Sequence, residues 1–560
     1  MFIVKKEIKG KEYYYLRESK REDGKVKAKT IAYLGKSKEE AEEKAKKFLN
    51  KNSRGPKGYK QEKKKIPMQE KQETNHKPLT IDEMTNFCKR KGFVYPSAEI
   101  YGGLAGFWDF GPLGSELKKN IKEAWWKFHV HGRDDIVGID GSIITNPKVW
   151  EASGHVGSFV DIAVVCKKCK NKSKVDKHEL GKVKCEKCGG EFQSKGEFNP
   201  MFTTNVGPIK EDSITAYLRP ETAQLIFTNF KLVQENARLK LPFGIAQTGK
   251  SFRNEIAPRN FLFRSREFEQ MEIEYFIDPS KTEDCPFLNK EIKNFELSIY
   301  SEEMQEKNSE PQTMKIKEAL DKKIIMLPWH AYWLATELSW FKSLGANMQN
   351  FRIRQHTKDE KSHYATDTWD VEYKFPFGWK ELQGIADRGT FDLTQHEEHS
   401  KKDLKIMDNI TNKKILPMVV AEPSLGVERA FLVFMFDAYS QNQKDNVILK
   451  LNPKLAPIKA AIFPLVKKEK QQVKIAKQIY KDLRQEWNIL YDESGSVGRR
   501  YARNDEVGTP FCITVDNDSI KQNDVTIRDR DTEKQIRVKI ENLKDTLRKL
   551  LSKEISFSKL

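Results

Sequence analysis

The segment Phe252-Arg253-Asn254-Glu255 is followed nine residues later by Arg264-Ser265-Arg266-Glu267-Phe268 and then Glu272. Arginines, acids and an aromatic at this spacing suit activation of a carboxylate by a nucleoside triphosphate. When the carboxylate attacks the α-phosphate, charge builds on an oxyanion, and a fixed guanidinium such as Arg253 can neutralise it. To act together these groups need a scaffold. Gly244 to Gln247 reads as a strand, Ala257-Pro258-Arg259-Asn260 as its break, and Arg266 to Tyr275 as the returning strand, which predicts a hairpin holding them over one ligand.

Two further segments can complete the constellation. Arg219-Pro220-Glu221-Thr222 precedes the hairpin, and Glu422-Pro423-Ser424-Leu425-Gly426-Val427-Glu428-Arg429 heads an apolar helix, Ala430 to Ala438. Glycine before a helix lets the helix start sit close to a ligand, within reach of Arg429 in the first turn. Four cysteines form a separate group. Cys166 and Cys169, then Cys185 and Cys188, are two CxxC pairs fifteen residues apart, the spacing of a zinc ribbon. Four thiolates would close a tetrahedral shell, so the predicted Zn²⁺ is structural, and His178 inside the loop is expected to face solvent. The lysines around the knuckle suggest contact with an RNA backbone.

With 560 residues the chain exceeds one compact core. Residues 1–50 read as a small hairpin and helix module, turning at Asp23-Gly24 and capped by Ser37 and Glu40. Residues 51–77, lysine-rich and nearly devoid of apolar side chains, read as a flexible basic linker. Residues 78–455 form the predicted catalytic body, with insertions at 162–198 and 285–365. Within it a helix is expected from Leu113 to about His129, burying Leu117, Ile121, Trp125 and Phe128 on one face. Residues 456–560 alternate strands and helices, which predicts an α/β domain with a mostly parallel sheet and an edge hairpin. The fold class is therefore multidomain, α+β joined to α/β. A net charge of +19 favours a polyanionic partner. No run approaches the roughly 18 apolar residues of a membrane span, and Cys88, Cys285 and Cys512 stand apart from the pairs, so a reducing cytoplasm is expected.

Taken together, the Phe-Arg-Asn-Glu hairpin resembles motif 2 of class II aminoacyl-tRNA synthetases. Glu99-Ile100-Tyr101-Gly102-Gly103-Leu104, Glu151-Ala152-Ser153-Gly154-His155, Arg219 to Gln224, Trp369-Asp370-Val371-Glu372, Glu381 to Arg388 and Glu422-Pro423-Ser424 resemble the α2 type of glycyl-tRNA synthetase over about residues 78–455. Gly498-Arg499-Arg500-Tyr501 resembles the anticodon-binding domain of that family. The resemblance implies an antiparallel-sheet catalytic domain that makes glycyl-adenylate from glycine and ATP and passes the glycyl group to tRNA(Gly). It further implies an ATP site of Arg253, Asn254, Glu255, Arg264, Ser265, Phe268, Glu381, Leu382 and Arg429, with Arg253 and Arg429 catalytic. Glu381 would help place Mg²⁺. The glycine pocket would be Glu221, Glu272, Glu422, Pro423 and Ser424. Pro147 resembles the motif 1 proline of the class II dimer interface, which implies a homodimer. Two other readings compete: a catalytically silent RNA-binding relative, and a synthetase for another small amino acid.

Overall fold

A computed structural model describes the chain except for residues 1, 9–10, 23–24, 36–78, 159–160, 176–179, 210, 359, 361–366, 409–411, 443–444 and 560. The expected turn at Asp23-Gly24, the capped helix after Ser37, the basic linker and His178 lie outside the described residues. The chain divides into two compact units, Met1–His76 and Lys77–Leu560. The first is a sheet of three strands, β1 (Phe2–Ile8), β2 (Lys11–Glu22) and β3 (Lys25–Gly35), antiparallel and in chain order.

The second unit opens with α1 (Ile81–Lys91), started by a Thr80–Glu83 capping box. Next comes α2 (Pro112–Trp126), in which Leu117, Ile121 and Trp125 are fully buried as expected. Phe128 is not: it is 36% exposed. Residues Lys127–His131 form a π-helical turn, whose wider coil takes up an extra residue and passes the buried position to His129. Its Nε2 there lies 2.9 Å from a carboxylate oxygen of the equally buried Glu337.

The elements that follow are β4 (Ile136–Ile139), α3 (Pro147–Ala152), the three short strands β5 (Asp161–Cys166), β6 (Lys172–Val175) and β7 (Phe192–Phe198), and α4 (Ala223–Ala237). The hairpin strands are β8 (Phe243–Phe252) and β9 (Glu267–Ile277). Residues 285–365 supply β10 (Glu296–Tyr300), β11 (Gln312–Lys315), α5 (Pro328–Ser343) and β12 (Phe351–Gln355). Then come β13 (Thr368–Phe375), β14 (Gly378–Ala386), α6 (Phe391–Ser400), β15 (Met418–Gly426) and α7 (Val427–Ala438). Nine of these strands make one sheet in the order β11-β10-β12-β13-β14-β15-β9-β8-β4, antiparallel throughout except β10 with β12 and β8 with β4. Helices α5 and α7 are apolar almost all round, so they are buried: Trp329, Trp333 and Trp340 share a core with Ala430, Phe431 and Phe434.

The C-terminal domain comprises β16 (Ala460–Pro464), α8 (Lys470–Leu483), β17 (Ile489–Tyr491), α9 (Val497–Glu506), β18 (Phe511–Val515), α10 (Asn517–Gln522), β19 (Asp524–Asp529), β20 (Gln535–Lys539) and α11 (Ile540–Ser552). Its sheet runs β17-β16-β18-β19-β20, with the first three strands parallel and the last two an edge hairpin. It has its own core, and Arg530 ties it to the preceding segment by donating to the Leu451 carbonyl at 2.8 Å, while also bonding the Gly508 carbonyl within the domain at 2.8 Å. Among the described residues no helix is long and apolar enough to cross a membrane.

Candidate active site

Strands β8 and β9 pair antiparallel with Gln247 opposite Glu272 and Ser251 opposite Phe268. Side chains alternate across a strand, so Phe268, Gln270, Glu272 and Glu274 share one face of β9, while Met271, Ile273 and Tyr275 enter the core on the other. At the open end of that face Arg253 donates from Nε to the Pro220 carbonyl at 3.0 Å, and its guanidinium lies 5.4 Å from the centre of the Phe268 ring. Arg264 Nε is 3.9 Å from a carboxylate oxygen of Glu255. Across the cleft Arg429, in the first turn of α7, is 3.1 Å from the Glu381 carboxylate and stacks 4.7 Å above Phe263. That ion pair holds the Glu381 carboxyl below its usual range. Leu382 is fully buried in the core, so only its backbone can meet a ligand, and Asn254 is anchored by its backbone N–H on the Pro200 carbonyl at 2.7 Å.

Deeper along the strand the lining turns acidic. Glu272 is 1% exposed and accepts from Ser424 Oγ at 2.7 Å, from Gln270 Nε2 at 3.3 Å and from the Thr222 hydroxyl. One carboxylate oxygen each from Glu272, Glu274 and Glu422 lie within 4.8 Å of one another. Arg388 is the counterweight. It grips Asp392 at 2.7 and 2.9 Å and donates from Nη1 to both oxygens of Glu422 at 3.0 and 3.2 Å. Glu221 sits 3.3 Å from His155 and accepts from Gln224 at 3.2 Å.

These surroundings split the acids into two classes. Burial works to raise Glu221, but His155, Arg388 and Arg253 together outweigh it and hold the carboxyl well below the usual range. Burial and then the charge of Glu221 raise Glu272. Glu422 is pushed up to about 8 by burial, with Arg388 opposing and Glu272 and Glu221 reinforcing it. Glu274, wholly buried and with neither carboxylate oxygen hydrogen-bonded among the described residues, is raised well above its usual value by burial and by Glu422. A cationic guest would let such carboxyls ionise, because an opposite charge offsets the desolvation that keeps them protonated.

In the strand-flanked knuckle, Cys166 Sγ lies 3.5 Å from Cys188 Sγ, and Cys169 Sγ lies 3.6 Å from Cys185 Sγ. All four sulfurs fall within 4.8 Å of one another. A tetrahedron with ~2.3 Å metal–sulfur bonds has edges of about 3.8 Å, so the type, number and proximity of these donors fit a zinc ion.

Residues 459–550 match the family model of the anticodon binding domain. The chain is 44% identical to a glycine–tRNA ligase of Acetivibrio thermocellus over 496 residues, which are 83% of this chain and 97% of the relative. It is 43% identical to the Geobacillus thermodenitrificans ligase, over 87% of this chain and the whole of the relative. It is 41% identical to that of Thermobifida fusca, over 85% and 99%. The chain belongs to the glycine–tRNA ligase family. A prolyl-tRNA synthetase from Cryptosporidium parvum superposes with a TM-score of 0.50 at 16% identity, over 84% of this chain and 77% of that one, which shows a class II synthetase-like fold. Residues 3–62 match a different model, the N-terminal domain of the IS1634 transposase family.

Within this glycine–tRNA ligase family member the structure brings Glu221, Glu272, Glu422 and Ser424 into one acidic cluster, with Pro423 buried in β15 between Glu422 and Ser424. Arg253 with Phe268, Arg264 with Glu255, and Arg429 with Glu381 form three neighbouring pairs. Ser265 is buried, and its hydroxyl has no hydrogen-bond partner among the described residues. Arg219 serves the scaffold: its buried guanidinium bonds the carbonyls of Lys250 and Gly141 at 2.7 Å. Gly249 is needed beside it, since a Cβ there would sit 2.1 Å from the Arg219 guanidinium. Sequence reasoning missed Glu274, Gln270, Arg388 and Asp392. The first two were within reach, because Phe268, Gln270, Glu272 and Glu274 follow the period-two pattern of one strand face. Arg388 and Asp392 look like an ordinary i,i+4 helix pair until the fold places Glu422 beside them.

Proposed function

We infer that this chain is a glycine–tRNA ligase, which activates glycine with ATP to glycyl-adenylate and pyrophosphate and then transfers the glycyl group to the 3′ end of tRNA(Gly). The observation that carries this reading is 41–44% identity to glycine–tRNA ligases along nearly their entire lengths. In the proposed mechanism the glycine ammonium enters among Glu221, Glu272 and Glu422, with Ser424 Oγ orienting Glu272. Its carboxylate then points along β9 toward the open end. There Arg253, fixed through Pro220, neutralises charge on the attacked phosphate, Phe268 offers a face for the adenine, Glu255 an acceptor for its amino group, and Arg264 holds the outer phosphates, with Arg429 on the opposite side of the nucleotide. A closed acidic pocket excludes larger side chains by sterics, so no separate editing site is required.

Magnesium fits beside Glu381, whose carboxylate is half exposed at the mouth of the cleft; when bound it would neutralise phosphate oxygens. Residues 162–198 are read as a zinc ribbon held by Cys166, Cys169, Cys185 and Cys188, structural because the four thiolates leave no open position. Metal analysis of the purified protein and of Cys185→Ser tests this, and equal zinc in both would refute it. A homodimer is proposed from Pro147 at the start of α3. Light scattering should give twice the 65.1 kDa chain mass, and a monomer at all concentrations would remove the proposal. Residues 78–455 act as the catalytic domain and 456–560 as the anticodon-binding domain. A reducing cytoplasm suits the seven free thiols. The test of the whole reading is ATP–pyrophosphate exchange with each amino acid in turn. Exchange should require glycine, and exchange driven by another amino acid or by none would sink it.

A further inference from the structure

Arg259 lies in the turn between β8 and β9 and has no part in the mechanism above. Its guanidinium reaches out of the turn: Nη1 donates to a Glu186 carboxylate oxygen at 2.7 Å, and Nη2 lies 3.4 Å from the Ser173 hydroxyl. Both partners belong to the knuckle. Glu186 stands inside the second CxxC pair, directly after Cys185, and Ser173 is buried in β6. A second tie comes from just past β7, where the Pro200 carbonyl accepts the N–H of Asn254 at 2.7 Å. The outgoing limb of the turn, Asn254 to Arg259, is therefore met at one end by the knuckle and at the other by the knuckle's exit.

The returning limb is held by the catalytic body instead. Phe261 and Leu262 are buried in the main core, and Arg266 donates to the Ala105 carbonyl at 2.8 Å. The limbs join where Arg259 and Arg264 pair as an antiparallel bridge, across Asn260 and Phe261 in the left-handed region at φ 58° and 57°. Whatever fixes Arg259 thus bears on Arg264 through one backbone bridge. The Arg259–Glu186 pair is exposed, so between two rigid bodies it would be worth little. The knuckle is not rigid on its own account: among the described residues its core is Ile162, Val164 and Val175 with Phe192 against them. A core of that size takes its order from a staple, here the four thiolates and their metal. Closing the thiol site places Glu186, and Glu186 places Arg259.

We propose that Arg259 is a positioning residue for ATP activation: through it the closed knuckle sets Arg264 for the outer phosphates. The role in catalysis rests on the ligase reading above, whereas the coupling of knuckle to turn stands independently of it. The test is ATP–pyrophosphate exchange by the full chain, which needs no tRNA and so excludes any contact of the knuckle with RNA. Arg259→Ala and Glu186→Ala should each raise the ATP KM about two- to fivefold, the worth of an exposed ion pair, with glycine KM and zinc content unchanged. Loss of folded protein would lower kcat and leave both KM values alone. The double variant should be no worse than either single one, because the two substitutions remove the same contact. Stripping the metal with 1,10-phenanthroline should raise the ATP KM further and speed amide hydrogen exchange across Asn254 to Arg264, as expected when a support unfolds. An ATP KM unchanged in both single variants overturns the proposal. So does an additive double variant, or a turn whose amides ignore metal removal. If the wild-type chain shows no exchange with glycine yet its turn amides quicken on metal removal and in Arg259→Ala, the ligase reading fails and the coupling stands.

Discussion

The two ends of strand β9 make opposite electrostatic choices within a few residues. At Phe268 the face opens onto Arg253, Arg264 and Arg429, each partly exposed and resting on a ring, a carbonyl or a single acid. At Glu272 and Glu274, further in along the same pleat, the face is closed and crowded with carboxyls that Arg388 only partly offsets. The open end keeps partly exposed cations, and the closed end keeps desolvated acids. On the proposed reading a phosphate chain meets the first and the glycine ammonium the second, with the glycine carboxylate between them.

Substitutions at the two ends should separate these roles. The largest effect is expected from Arg253→Ala, which should lower glycine-dependent exchange by about 10²–10³, the loss typical of one preorganised donor to a developing oxyanion. Affinity for tRNA should be nearly intact; normal exchange with lost tRNA binding would contradict the division. Next, Glu422→Gln should raise the glycine KM by roughly 10–100-fold, the worth of a charge-assisted hydrogen bond, while the ATP KM moves little. Because the Glu422 carboxyl is pushed up to about 8 and an ammonium prefers its ionised form, the wild-type glycine KM should fall as pH rises from 6 to 8. The variant should lose that slope; equal slopes in both would break the assignment.

The smallest effect is on stability. Glu274 has its folded pKa raised, so the folded protein holds a proton that the unfolded chain has released above about pH 4.3. Stability is then full below that pH and is lost as pH rises toward the folded value. Glu274→Gln carries no such penalty and should be the more stable protein at pH 8, with the advantage shrinking toward pH 5. Thermal melts at both pH values decide this, and an advantage that is absent or independent of pH would show that Glu274 is not a strained acid.

Much of the architecture was legible because it depends on local rules. The hairpin around Arg253 follows from two apolar strands broken at Pro258. The C-terminal βα alternation and its edge hairpin follow from period and turn residues, while the short helix Asn517–Gln522, capped by Asp516, and the 3-10 turn Phe557–Lys559 escaped notice. Phe128 failed for a local reason too: a π turn is invisible to a pattern that assumes 3.6 residues per turn. The acidic cluster was half legible. Motif residues pointed to Glu221, Glu272 and Glu422, but nothing local marks Arg388 as their counter-charge or Glu274 as the acid with no hydrogen-bond partner among the described residues.

By itself the sequence determined which chemical groups exist, the strand and helix periods that carry them, the thiol spacing of the knuckle and the family to which the chain belongs. Only the tertiary structure decided how the carboxyls share protons, because that depends on burial and on distances between β9, β15 and the start of α6, segments up to about 150 residues apart in the chain. Charge on a buried group is set by what surrounds it in space, and no linear spacing encodes that.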